Sequence, residues 1–328
     1  MSKSAIQLGE EAETLRLLGT LLELKIDPDE AIGLTVSECP QSYKDSLLRI
    51  RANGGIMDNL ALAGAFESEK NTIPSFISCL LRRSGIRSAR GEYRLGAAFI
   101  EASSVLKNAE RIVRSGKDPS LVNFYRILGL LVSRDVPLLE AIESAGDNNL
   151  SGTVTQSITA AVRKGETFLS GLEHHRNIFP AIDRSLIDIG EQTGAFPEVC
   201  KILADLKGKY LEWSLSLSTL KNCLLYEILA ISTNAGMSLG QSLKRLARAE
   251  ESAGQIGPFQ VVLERINMGL LPSEAMHSLP EYFPSLFVRM VKEGEIRGEL
   301  ELTFRAIADF LAWRDFNIER PKEAVVNA

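Results

Sequence analysis

The stretch Phe179-Pro180-Ala181-Ile182-Asp183-Arg184-Ser185-Leu186-Ile187-Asp188-Ile189-Gly190-Glu191-Gln192-Thr193-Gly194 decides the fold. It reads as a helix opened by Phe179-Pro180, carried through Leu186 and Ile187, and broken at Gly190-Glu191-Gln192-Thr193-Gly194. The same punctuation returns as Phe283-Pro284, Gly294-Glu295 and Gly298, each match at one constant displacement. Working outward, Gly165 has Gly269 as its counterpart at that displacement. Asp135-Val136-Pro137-Leu138 pairs with Gly236-Met237-Ser238-Leu239 once a small loop insertion is allowed. So many positions in phase mark an internal repeat, which sets the architecture before any local reading does.

A third, degenerate copy lies at the N-terminus. Leu17, Leu18, Leu21, Ile26, Glu30, Ala31 and Ile32 match Ile127, Leu128, Leu131, Val136, Glu140, Ala141 and Ile142. Ile73-Pro74 stands where Phe179-Pro180 does, but Ser84-Gly85 replaces the Gly-Glu pair. Within the middle copy, Phe124, Ile127, Leu128 and Leu131 follow the i, i+3, i+4, i+7 stripe of an amphipathic helix. Pro137 suits the first turn of the next helix, which carries Leu138, Ala141 and Ile142. A third helix from Leu150 to Lys164 presents Val154, Ile158 and Val162, and Gly165 ends it as a left-handed cap. A short helix near Leu169 to His174, the Phe179-Pro180 helix and one starting at Pro197 make about six per copy. No run keeps the period-2 alternation of a strand, so the expected class is all-α, with domains at 1–112, 113–216 and 217–328.

Composition agrees. The 328 residues include 45% hydrophobic, 24% charged and 6% aromatic, with 12 prolines, a globular balance that favours helix over sheet. A net charge of −5 with scattered basic residues excludes a general nucleic-acid binder. Cys39, Cys79, Cys200 and Cys223 have no CxxC spacing, so buried thiols in a reducing compartment are expected. The acidic N-terminal stretch lacks a signal peptide's pattern. The most apolar run, Asn222 to Leu243, is interrupted by Glu227 and Asn234 and keeps Leu225, Ile228 and Leu229 on one face. It reads as an amphipathic core helix.

The combination Val136-Pro137-Leu138-Leu139-Glu140-Ala141, Phe179-Pro180 and Gly190-Glu191-Gln192-Thr193-Gly194, with Phe283-Pro284 and Gly294-Glu295-Ile296-Arg297-Gly298, resembles the type II secretion system F domain. That domain is the cytoplasmic part of inner-membrane platform proteins of type II secretion and type IV pili. The resemblance covers residues from Asn123 onward well, and Thr14 to Leu106 as a degenerate copy. It implies tandem six-helix bundles and a non-enzymatic, cytoplasmic structural or adaptor role, peripheral to the inner membrane through partners. The implied partners are the assembly ATPase and inner-membrane secretion or pilus components, with a homo-oligomer as a further possibility. No cofactor, nucleic acid or small-molecule substrate is implied. The sequence departs from the family where a domain's final helix would enter the bilayer: Tyr210 to Leu224 runs directly into the next copy, and Phe310-Leu311-Ala312-Trp313 is soon followed by the chain end. A soluble oligomeric scaffold or regulator that has left the machine is the alternative function.

Glu191 and Glu295 are the leading site candidates, and three roles stay open for them. A carboxylate in a break between helices suits the N-terminus of the next helix, where it accepts backbone N–H groups and opposes the dipole. It also suits a partner contact at Glu191, Gly194, Glu295 and Gly298. A cation site is the third, although Asp188 or Gln192 beside one Glu falls short of the six or more oxygens a hard cation wants. Trp213 and Trp313, with Phe310 and Phe316, serve either core packing or an interface, since aromatic anchors suit interface centres. His174, His175 and His277 form no ligand set by spacing. Neither a nucleophile elbow nor a phosphate loop occurs, and an enzyme is not expected.

Overall fold

A computed structural model describes residues 3–52, 59–69, 72–88, 95–213, 217–251 and 257–318. Contacts divide the chain into two compact units, 1–165 and 166–328. Among the described residues both are built only of helices and their connections.

The described residues of unit 1–165 form the helices α1 (Ala5–Glu23), α2 (Pro28–Glu38), α3 (Gln41–Ala52), α4 (Asn59–Ser68), α5 (Ser75–Ser88), α6 (Leu95–Arg114), α7 (Ser120–Ser133), α8 (Leu138–Gly146) and α9 (Gly152–Arg163). The long helices α1 and α6 run against each other. They bury Leu8, Ala12, Leu15 and Leu18 from one side and Ala98, Phe99, Ala102, Val105 and Ala109 from the other. Phe66 of α4 meets Phe99 with ring centroids 5.2 Å apart. Ser4 starts α1 through a capping box with Gln7, which satisfies two otherwise orphaned N–H groups. The stripe Phe124, Ile127, Leu128 and Leu131 is buried along α7, as its period requires.

Unit 166–328 carries α10 (Phe168–Glu173), α11 (Ala181–Thr193), α12 (Phe196–Trp213), α13 (Leu217–Asn234), α14 (Leu239–Glu251), α15 (Pro258–Asn267), α16 (Pro272–His277), α17 (Ser285–Arg297) and α18 (Leu300–Ile318). Its core includes the edge-on pair Phe168–Phe196 at 5.4 Å. Tyr226 of α13 lies between Phe287 of α17 and Phe304 of α18, at 5.7 and 6.2 Å. Leu225, Ile228 and Leu229 are buried on α13, as expected of an amphipathic core helix. No helix among the described residues is long and apolar enough to cross a membrane.

The turns repeat in phase. Lys25, Asp135 and Gly236 adopt positive φ (63°, 59° and 80°) at the same place after the first helix of each expected copy. Gly165 and Gly269 do so after the third, at 83° and 94°. The unit boundary at Gly165 lies inside the span 113–216 expected as one domain.

Two local expectations change. Pro137 is the N-cap rather than the first helical residue, and α8 starts at Leu138. Gly190 does not break its helix: α11 runs unbroken to Thr193, and Gly194 in the left-handed conformation ends it. The reason is close packing. A Cβ on Gly190 would lie 3.1 Å from the Phe196 Cα and 3.2 Å from the Val199 Cβ, so the glycine lets α12 approach. Gly294 plays the same part in α17, where a Cβ would lie 2.2 Å from the Thr303 Oγ1.

Candidate functional site

A short helix has few internal hydrogen bonds, so its first N–H groups need acceptors from elsewhere. At α10 they come from two places. Thr167, at the N-cap, accepts the Ser170 N–H at 3.1 Å. Glu191, in the last turn of α11, accepts the Phe168 N–H on Oε1 at 2.7 Å and the Leu169 N–H on Oε2 at 3.3 Å. The carboxylate thus ties the end of one helix to the start of another and opposes the dipole of α10.

The second corner is built alike with one substitution that is informative. Pro272 stands in register with Phe168 and has no N–H to give. Glu295 of α17 accepts the Ser273 N–H at 2.6 Å, and the Ser273 hydroxyl donates to its other oxygen, also at 2.6 Å. The side-chain hydroxyl replaces the missing backbone donor. The main chain at Glu295 also closes its own helix. The Gly298 N–H donates to the Glu295 carbonyl at 3.2 Å and the Glu299 N–H to the Gly294 carbonyl at 2.8 Å. With Gly298 at φ 70°, this is a Schellman ending. Gly194 (φ 74°) ends α11 in the same left-handed conformation.

Burial holds the half-buried Glu191 carboxyl above its usual range; the two N–H bonds pull the other way, and neighbouring Asp188 adds to the rise. Both oxygens of each glutamate therefore already serve an internal donor. Among the described residues no cluster of three His, Cys, Asp or Glu side chains is placed to hold a metal. His174 and His175 follow α10 and His277 ends α16; His174 and His277 are exposed and His175 is half-buried. Cys79 and Cys200 are buried and Cys39 is half-buried, all three free thiols. Burial pushes the Cys79 thiol up to about 11, with the Ser144 hydroxyl 3.1 Å away. Trp213 closes α12 and Trp313 stands in α18, but their side chains, like those of Phe316 and Cys223, lie outside the described residues. Phe310 is partly exposed and touches Phe287 at 6.1 Å.

The sequence reading located the glutamates and left three roles open for them, and its capping alternative named the following helix. They cap α10 and α16, the short helices before them, and not the helices that follow. It also missed Glu11, a fully buried carboxylate on α1 whose oxygen accepts from both Lys3 and the Tyr43 hydroxyl. Only its place among the buried positions Leu8, Ala12 and Leu15 of α1 hinted at it.

The sequence model of the family described as type II secretion system (T2SS), protein F, matches residues 124–209 and 225–316, more than half of the chain. The chain belongs to that family. The comparison with curated proteins found no match. Each matched F segment contains one complete glutamate corner, α10 with α11 in the first and α16 with α17 in the second. Residues 1–123, where Gly85 stands in register with Glu191, lie outside both segments.

Removing the carboxylate should loosen these F-segment corners without unfolding the chain. Glu191→Ala is expected to lower stability by about 1–2 kcal/mol, the usual effect of stranding capped N–H groups. Amide exchange of residues 168–173 should accelerate, and Glu191→Gln, which keeps one acceptor oxygen, should fall between. Unchanged exchange in that segment would remove the capping role.

Proposed function

We propose that this protein is a non-catalytic adaptor of a type II secretion or type IV pilus assembly machine, working on the cytoplasmic side through helical surfaces. The family match over two tandem segments carries this reading. The internally satisfied Glu191 and Glu295 support it further, because they order the framework and offer no reactive group. On this reading the chain holds three copies of the six-helix unit, 1–112, 113–216 and 217–328. The positive-φ turns recurring at Lys25, Asp135 and Gly236 support that division. The partners are the assembly ATPase and inner-membrane platform components. The corners at Glu191, Gly194, Glu295 and Gly298 shape the contact faces, and Trp213 and Trp313 are its aromatic anchors.

The test is a pull-down with the purified full chain against the cognate assembly ATPase and each inner-membrane platform protein. Saturable binding to at least one, weakened by Trp213→Ala or Trp313→Ala in a folded variant, is the expected result. No binding to any of them, together with wild-type secretion and piliation after gene disruption, would overturn it.

A further inference from the structure

Each unit contains one packing of the same kind between helices that stand in different expected copies. In unit 1–165, α5 packs on α8. Arg82 donates to Glu140 at 2.8 Å, Cys79 meets Ser144, and the Ser75 hydroxyl donates to Asp147 at 2.9 Å. In unit 166–328, α11 packs on α14. There Arg245 donates to Asp188 at 2.9 Å and also to the Gln192 side-chain oxygen.

The prolines Pro74, Pro180 and Pro284 bring α5, α11 and α17 into register. The turns at Lys25, Asp135 and Gly236 do the same for α2, α8 and α14. The rule is then plain: the fifth helix of one copy packs on the second helix of the next. Two faces of this kind are left over. One is the α17 face, bearing Ser285, Arg289, Lys292 and Ile296, all exposed. The other is the α2 face, bearing Glu30, Leu34 and Ser37, also exposed. The corresponding α5 positions Ser75, Cys79 and Arg82 are buried or half-buried.

The two leftover faces match in chemistry. Lys292 is in register with Arg82, and Glu30 with Glu140, so the Arg82–Glu140 pairing returns with the same polarity. Ile296 is in register with Gln192, and Leu34 with Arg245. Where the inner seam has a polar contact, both leftover members are apolar. Ile296 is 71% exposed and Leu34 is 45% exposed. An isolated exposed apolar residue needs no explanation, but a matched change on two faces that share one packing rule does.

We propose that α17 of one chain docks on α2 of a second copy of this chain, extending the α5–α8 and α11–α14 packing between molecules. Such an interface joins two different faces. It is heterologous, so each added chain either leaves one face of each kind free for a further copy or closes a ring. The inference does not depend on the secretion-machine reading, since it uses no partner but the chain itself.

Sedimentation velocity of the full chain across a concentration series tests it. Self-association rising with concentration is expected. Lys292→Glu and Glu30→Lys, both at exposed positions, should each weaken it by about tenfold or more, because each places like charges across the seam. An equimolar mixture of the two variants should regain association, as should the double variant, since the opposite pair is restored. A chain that stays monomeric at high micromolar concentration would overturn the proposal. So would oligomers indifferent to both substitutions, or variants that the mixture does not rescue. A failed pull-down with the assembly ATPase would leave this result untouched.

Discussion

Gly96→Ala should destabilise unit 1–165 by about 3 kcal/mol, the upper end of what one extra methyl does to a packed interior. Gly96 on α6 and Gly19 on α1 face each other where the two long helices cross. A Cβ at Gly96 would lie 2.5 Å from the Gly19 carbonyl oxygen and 2.9 Å from the Glu23 backbone nitrogen. These neighbours are main-chain atoms, so no rotamer change makes room. The helices must separate, and the buried row Leu15, Leu18, Phe99 and Ala102 loses contact along the seam. Gly64→Ala is the matched control. Gly64 lies exposed on α4 with open space around its missing Cβ, so alanine should stabilise by about 0.5–1 kcal/mol. Denaturant unfolding of the full chain, with amide exchange read in α1 and α6, separates the two. Equal effects from both substitutions would remove the helix-crossing argument.

The second large effect is on pH dependence. Burial pushes the Glu11 carboxyl from 4.5 up to about 7, and attraction and hydrogen bonding from Lys3 offset only part of the rise. Tyr43 from α3 donates to the same oxygen, and Lys3 also reaches the Thr72 carbonyl at 3.1 Å. Because the folded value lies above the unfolded one, the unfolded chain releases this proton first as pH rises. The stability linked to the proton is therefore present below about 4.5 and is lost as pH climbs towards 7, by about 3 kcal/mol in all. Glu69 and Glu110 shift the other way, held low first by Arg49 and Lys107 respectively, so their contributions disappear at the acid end. Comparing the wild type with Glu11→Gln across pH 4.5–7.5 isolates Glu11. The wild type should lose protection in α1 and α6 as pH rises, and the variant should hold nearly constant. Parallel curves would mean that Glu11 titrates as an ordinary surface carboxylate.

Much of the fold was legible in the residues because helix signals are local. The stripe through Phe124, Ile127, Leu128 and Leu131 faces inward whatever it packs against. Gly165, Gly194, Gly269 and Gly298 end helices because only glycine takes positive φ without strain. The two segments that match the family were legible for the same reason: their punctuation marks recur in phase. Gly190 and Gly294 deceived the reading, because a glycine that ends a helix and one that admits a neighbouring helix look alike in one dimension. Glu191 and Glu295 were found by their pattern, yet the helix each serves touches it in space while standing some twenty residues before it in the chain.

By itself, then, the sequence determined the all-helical class, several helix ends in the middle of the chain and the family resemblance, all properties carried by spacing. Only the tertiary structure decided where the carboxylates act, why Gly96 and Gly19 cannot carry a side chain, and that Glu11 is buried. It also decided which faces of α2 and α17 stay exposed while their counterparts are covered. Those are facts of distance and burial between segments remote in sequence, and no local period encodes them.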